Sequence, residues 1–182
     1  MKKVLAPAVV LAAMFTVAQA AEIESGLKVG ESPAAFNVKD ITGPAQGTSL
    51  CYRCRYGNRP VVSIFARQVN EELATLIKEI DGVVGQNEEK DMAAFVVLLS
   101  EDADGAATQL EGLAKDKELS ATPLTVFDGI AGPPQYSIAE DADITVLMWV
   151  ESEVKVNHAL AAGDLNEEKI KEIIGTTKEI LN

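Results

Sequence analysis

Cysteine and histidine are nearly missing from this chain, with two of the first and one of the second in 182 residues. Two thiols exclude a disulfide-dense scaffold and a four-cysteine zinc site within one chain. A lone histidine argues against a His-rich metal centre. Positive charge is also in short supply: 16 Lys and Arg face 28 Asp and Glu, a formal net charge of −12. That balance argues against a general binder of nucleic acid or anionic membrane. No G-x-S-x-G, P-loop, H-E-x-x-H or G-x-G-x-x-G pattern occurs, so the standard catalytic signatures are missing. Hydrophobic residues at 47% and charged ones at 24% are ordinary for a globular domain and exclude collagen-like or long disordered chains.

The first twenty residues read as a leader. Lys2 and Lys3 precede a nearly continuous apolar run from Val4 to Val17, and Ala18-Gln19-Ala20 is a small-x-small cleavage pattern. This is the layout of a secretory signal peptide, with cleavage expected before Ala21. The run is shorter than the roughly 20 residues of a spanning helix. No later segment is long and apolar enough to span a bilayer, so no membrane association is expected after cleavage. Losing the two leader lysines takes the formal charge from −12 to −14. The expected product is exported, periplasmic or extracellular, where disulfides form, and residues 21–182 make one domain.

Charge is unevenly spread. All four arginines, Arg53, Arg55, Arg59 and Arg67, fall in one stretch, and no Asp or Glu occurs from Ile41 through Asn70. Both cysteines lie in this basic island, as Cys51-Tyr52-Arg53-Cys54. A C-x-x-C spacing lets two sulfurs close a small ring, and cationic neighbours favour the thiolate. Three readings stay open: a structural disulfide, a redox-active pair, and a metal site. The last needs further ligands, for which one chain offers only His158 and a dimer would offer four thiolates. Tyr52 and Tyr56 interleave with the arginines, which could form a recognition surface for a protein or an anionic ligand.

Periodicity orders the rest. Residues 43–59 read as loop and turn. Val61 to Ala66 is a buried strand, and Val69, Leu73, Leu76, Ile77, Ile80 and Val84 share one helical face, with Asn70 as a possible cap. Ala94 to Leu99 is a second strand, Asp104 to Leu119 a second helix, and Leu124 to Phe127 a third strand. Ile144 to Val150 and Val154 to His158 form a hairpin, in which His158 falls on the side of Val154 and Val156. Asp164 with Glu167 has the pattern of a capping box opening the final helix. Alternating strands and helices predict an α/β fold: a central mixed, mostly parallel sheet flanked by helices on both faces, closed by a C-terminal β-hairpin and helix.

This order, over about residues 27–181, resembles the thioredoxin-like superfamily, and more closely its redoxin or peroxiredoxin branch. Val29-Gly30-Glu31-Ser32-Pro33-Ala34-Ala35-Phe36 is similar to that branch's VGxxAPxF opening. Pro60 to Ala66 matches its first core strand, and Ala94 to Phe127 resembles its strand–helix–strand extension. Gly132 to Ile138 resembles the short helix before the last hairpin. In that family the reactive cysteine follows the first core strand; here the place reads Ala66-Arg67-Gln68-Val69-Asn70. The peroxidase Thr-x-x-Cys is missing, and Asp143-Ile144-Thr145 stands where thioredoxins carry a cis-proline. A conventional peroxidase mechanism is therefore not expected. The C-x-x-C precedes the core strand, which spans roughly 23 Å at about 3.3 Å per residue.

Two functions compete on this reading. One is an exported, atypical thiol–disulfide oxidoreductase in which Cys51 and Cys54 are catalytic and the partner is a protein disulfide. One thiolate would attack and the other resolve, in an order that spacing leaves open. The other is a non-enzymatic binding module, in which Arg53, Arg55, Arg59, Arg67, Tyr52 and Tyr56 recognise a protein or anionic partner. Neither reading implies a cofactor or a metal.

Overall fold

The computed structural model describes residues 23–181; the leader expected over residues 1–20 lies outside them. Seven strands, β1 (Val38–Asp40), β2 (Ser49–Leu50), β3 (Val61–Ala66), β4 (Ala93–Ser100), β5 (Leu124–Asp128), β6 (Ile144–Val150) and β7 (Glu153–Leu160), form one sheet. Their spatial order is β2-β1-β5-β4-β3-β6-β7. The helices are α1 (Tyr52–Tyr56), α2 (Glu71–Gln86), α3 (Ala103–Asp116) and α4 (Glu167–Thr176), with short 3-10 turns between and after them.

The sheet is mostly antiparallel, which corrects the parallel expectation. Only β3 with β4 and β4 with β5 run parallel; the other four pairings are antiparallel. The reason is connectivity. Parallel neighbours need a long crossover, which α2 and α3 supply. The loop from Ile41 to Thr48 between β1 and β2 and the two-residue β6–β7 turn reverse the chain instead, and β1 and β6 enter against the direction of their neighbours.

The two faces are covered differently, which is a second correction. All three long helices pack on one face. Leu73, Leu76, Ile77 and Ile80 of α2, Leu110 of α3 and Ile173 of α4 join the strand residues Val62, Ile64, Val96, Val126 and Val146 there. The other face carries no long helix. It is covered by the segment before β1, by α1 and by the turn at Tyr136. All eight aromatic residues of the described chain lie in this second layer or pack against it. Phe36 bridges Phe65, Phe95, Phe127 and Tyr136 with ring centroids between 4.8 and 6.4 Å apart, the range of favourable tilted aromatic pairs. Rings replace a helix because short irregular segments bury enough apolar area only through large side chains.

Local signals explain the element ends. The Asn70 side chain accepts from Leu73 N at 2.8 Å and caps α2, and Glu71 and Glu72 fill its first turn, where the helix dipole favours carboxylates. The cap of α4 is Asn166, which accepts from Lys169 N at 2.9 Å. This corrects the capping box: the Asp164 carboxylate turns back to Ala161 N at 3.2 Å, two residues before the helix cap. A bulge between Met148 and Trp149 makes Lys155 the extra residue, because Met148 faces Val156 while Trp149 faces Val154. Val154 and Val156 therefore fall on opposite faces, and His158 shares only that of Val156.

The caps give a direct test. Asn70→Ala and Asn166→Ala should each cost about 1 kcal/mol in urea unfolding. Asp164→Ala should cost under about 0.5 kcal/mol, as an exposed position away from the cap.

Candidate functional site

The loop expected over residues 43–59 contains a short strand and a helix, and the helix presents the cysteines. Cys51 is its N-cap residue and Cys54 lies three residues on; the two form a disulfide with a Cα–Cα distance of 5.2 Å. The Cys51 Sγ also accepts the Cys54 N–H at 3.0 Å. Cys51 is half-buried between Leu50 and Tyr52, whereas Cys54 and Arg55 are exposed. Five residues cannot hold a helix on backbone bonds alone. Gly57, with φ of 59°, closes this one by donating its N–H to Arg53 O at 3.1 Å, and tertiary contacts do the rest.

Tyr52 is the anchor. It is 1% exposed, which removes it from any recognition surface. Its ring stacks on Phe95 at 5.3 Å with an interplanar angle of 17°, and Tyr56 packs against both rings, 5.3 Å from Tyr52 and 6.1 Å from Phe95. Its hydroxyl donates to the Asp40 carboxylate at 3.0 Å. Asp40 is fully buried and also accepts from Gly43 N at 2.8 Å and Ala45 N at 2.7 Å. Three donors make burial of the carboxylate tolerable. Burial, and then the Asp40 hydrogen bond, push Tyr52 ionisation well above the usual tyrosine range. Gly43 fits because it has no side chain: a Cβ there would collide with the Tyr52 hydroxyl and both Asp40 oxygens.

The arginines divide into two kinds. Arg53 is a clamp: Nε donates to Pro33 O at 2.9 Å, Nη1 to Gly57 O at 3.4 Å and Nη2 to Ser152 Oγ at 2.9 Å. It ties α1 to the segment before β1 and to the β6–β7 turn. Arg67 sits at the opposite end of β3, where its guanidinium donates to the carbonyls of Ile130, Ala139 and Ala142. Both are thus engaged within the chain, with little left for a ligand. Arg59 makes an exposed ion pair with Asp91 at 3.7 Å, worth little by itself. Arg55 has no side-chain hydrogen bond or ion pair among the described residues. Burial pushes Tyr56 up to about 12 against the opposing pull of Arg55 and Arg59, so Tyr56 stays neutral and half-buried. The site brought together is therefore Cys54 and Arg55 on the outside, Cys51 half-buried beside them, and Tyr52, Tyr56 and Arg53 beneath.

Asn58 and Pro60, which follow α1, stand at the end of the sheet where β3 begins. Asn58 O accepts from Glu151 N in the β6–β7 turn at 2.9 Å, and Pro60 O accepts from Ala93 N at the start of β4 at 2.9 Å. The turn between β3 and α2, Arg67 to Asn70, is a strand length away, about 20 Å for six residues. Two clefts, about 680 Å³ between α2 and α4 and about 930 Å³ beside β7, include neither cysteine. Among the described residues, no three His, Cys, Asp or Glu side chains cluster to hold a metal. His158 Nε2 is 3.0 Å from Thr176 Oγ1, and burial lowers its pKa against the pull of Glu172. It lies with α4, away from the cysteines. Asp40 and Gly43 escaped the sequence reading; the one signal was Asp40, the last acid before the acid-free stretch.

With this geometry in hand, comparison with known proteins fixes the class of fold. No protein-family model matches the chain, and no curated protein sequence matches it. Solved structures do. A candidate protein disulfide isomerase from Bacteroides thetaiotaomicron superposes with a TM-score of 0.64 at 16% identity, over 87% of this chain and 94% of that one. A candidate thiol:disulfide interchange protein DsbE from Chlorobium tepidum gives 0.60 at 12%, over 83% and 99%. Mycobacterium tuberculosis AhpC gives 0.62 at 15%, over 86% and 99%. The fold is thioredoxin-like, and its structural neighbours come from the redoxin and peroxiredoxin branch.

The anchor is testable. Tyr52→Phe keeps the stacking and removes one donor from a buried carboxylate, so it should cost about 1–3 kcal/mol in urea unfolding. A smaller loss would mean that water replaces the hydroxyl at Asp40.

Proposed function

We propose that this protein is an exported thiol–disulfide oxidoreductase of unusual layout, working through Cys51 and Cys54. The observation that carries this reading is the closed Cys51–Cys54 disulfide with an exposed member, fastened to a rigid platform by Tyr52. A purely structural role has little to offer here. Closing a ring of only four residues stabilises by about 2 kcal/mol in the chain-entropy model, against about 3 for a 15-residue loop. Tyr52, Arg53 and Gly57 already hold α1 without the bridge. Precision of support is what a reactive pair needs, and exposure is what a partner's sulfur needs. The thioredoxin-like fold is consistent with such chemistry; fold alone does not assign it.

Arg55 gives the pair its positive surroundings, favouring the thiolate and a partner with acids near its disulfide. The competing binding-module reading keeps only Arg55, Arg59 and the rim of Tyr56, since Tyr52, Arg53 and Arg67 are engaged inside the molecule. That is a small surface for specific recognition, and the oxidoreductase reading is the stronger.

The decisive measurement is the reduction potential of the pair, by equilibration in glutathione buffers and thiol trapping. The expected value lies above about −250 mV, in the exchangeable range; one below about −300 mV would mark a structural bond and defeat the proposal. Export is tested separately by sequencing the N-terminus of protein recovered outside the cytoplasm, which should begin at Ala21.

A further inference from the structure

The disulfide is asymmetric, and on the reading just proposed that asymmetry fixes the order of the reaction. Cys54 is exposed on α1, next to the exposed Arg55. Cys51 is half-buried between the end of β2 and the buried Tyr52, and its sulfur already accepts the Cys54 N–H at 3.0 Å. Exchange rates depend on access to the attacked sulfur and on how well the departing sulfur carries negative charge. Here both point the same way. The more exposed of the two residues is Cys54. The sulfur that would depart is that of Cys51, which has a backbone donor in place to stabilise the charge it acquires.

We infer that Cys54 is the sulfur that exchanges with the partner and that Cys51 is the resolving thiol. In the oxidising direction, a partner thiolate attacks the Cys54 Sγ. A new partner–Cys54 disulfide forms, the Cys51–Cys54 bond breaks, and its electron pair leaves on Cys51 as a thiolate. A second partner thiolate then attacks the partner sulfur of the mixed disulfide. The partner's disulfide forms and Cys54 departs as a thiolate. Two electrons pass from the two partner thiols to the C-x-x-C, and the two cysteine thiolates take up the protons released. In the reducing direction the Cys54 thiolate attacks one sulfur of the partner disulfide, the other leaves as a thiolate, and the Cys51 thiolate then attacks the Cys54 Sγ, closing the ring and releasing the second partner sulfur as a thiolate. The N-cap cysteine is thus the second to act. The tyrosine that fixes it keeps it within reach of Cys54, while the exposed side of α1 remains open to a docking chain.

The test uses the whole protein and glutathione as the probe. Wild-type protein, oxidised, is exposed briefly to reduced glutathione and quenched with acid, and the mixed disulfide is located by peptide mapping. Glutathione should be found on Cys54 at least roughly tenfold more than on Cys51. Reduced Cys51→Ser, which leaves only Cys54, should react with glutathione disulfide at least roughly tenfold faster than reduced Cys54→Ser. Both variants keep Tyr52 and Asp40 and should remain folded, which a urea midpoint verifies. Glutathione on Cys51, or equal reaction of the two variants, overturns the assignment while leaving the oxidoreductase reading intact. If wild-type protein does not exchange with glutathione at all, both fall together.

Discussion

The Tyr52 hydroxyl on the buried Asp40 carboxylate is the contact on which the local architecture turns. Asp40 ends β1 and holds the following loop through Gly43 N and Ala45 N, so the loop, the strand and α1 share one acceptor. Stacking on Phe95 ties the same ring to β4. A buried carboxylate left with a missing donor is costly, so each of these elements depends on the others being in place. The consequence for the site is positional. The disulfide begins one residue before a fully buried, hydrogen-bonded side chain, which sets where α1 lies.

The aromatic layer explains how this corner can exist in a thioredoxin-like fold. One face of the sheet is closed by α2, α3 and α4 in the ordinary way, with branched aliphatic residues at helical spacing. The other is closed by rings reaching from irregular segments, with Phe36 at their centre. Rings supply large buried area from single positions, which lets a five-residue helix and an extended N-terminal segment substitute for full helices. Arg53 completes the closure by joining Pro33, Gly57 and Ser152 from three separate stretches. The basic residue inside the C-x-x-C is thus a structural tie here, whereas Arg55, just after it, is exposed.

Arg67 shows the same point at the other end of β3. It stands where the resemblance places a reactive cysteine, and it gathers the carbonyls of Ile130, Ala139 and Ala142. That gathering fixes the turn that leads into β6.

Much of this was written in local pattern. The apolar runs of β3, β4 and β6, the helical stripe of α2 with its Asn70 cap, and the C-x-x-C itself follow from residue type and spacing, because backbone hydrogen bonding and burial act over a few neighbours. Pattern did not show the direction of β1, β2 and β6, since strand orientation depends on which distant edges meet. Nor did it show α1, which is too short to display a period. The fate of the arginines and tyrosines was equally hidden: Arg53, Arg55 and Arg67 are one residue type in one charged stretch, yet only their distant partners separate a clamp from a free cation. Local chemistry, set by the sequence alone, provides the strands, the long helices and a pair of sulfurs able to bond. Which cysteine is exposed and which is half-buried was decided by contacts between residues far apart in the chain, through Phe95 and Asp40 beneath Tyr52.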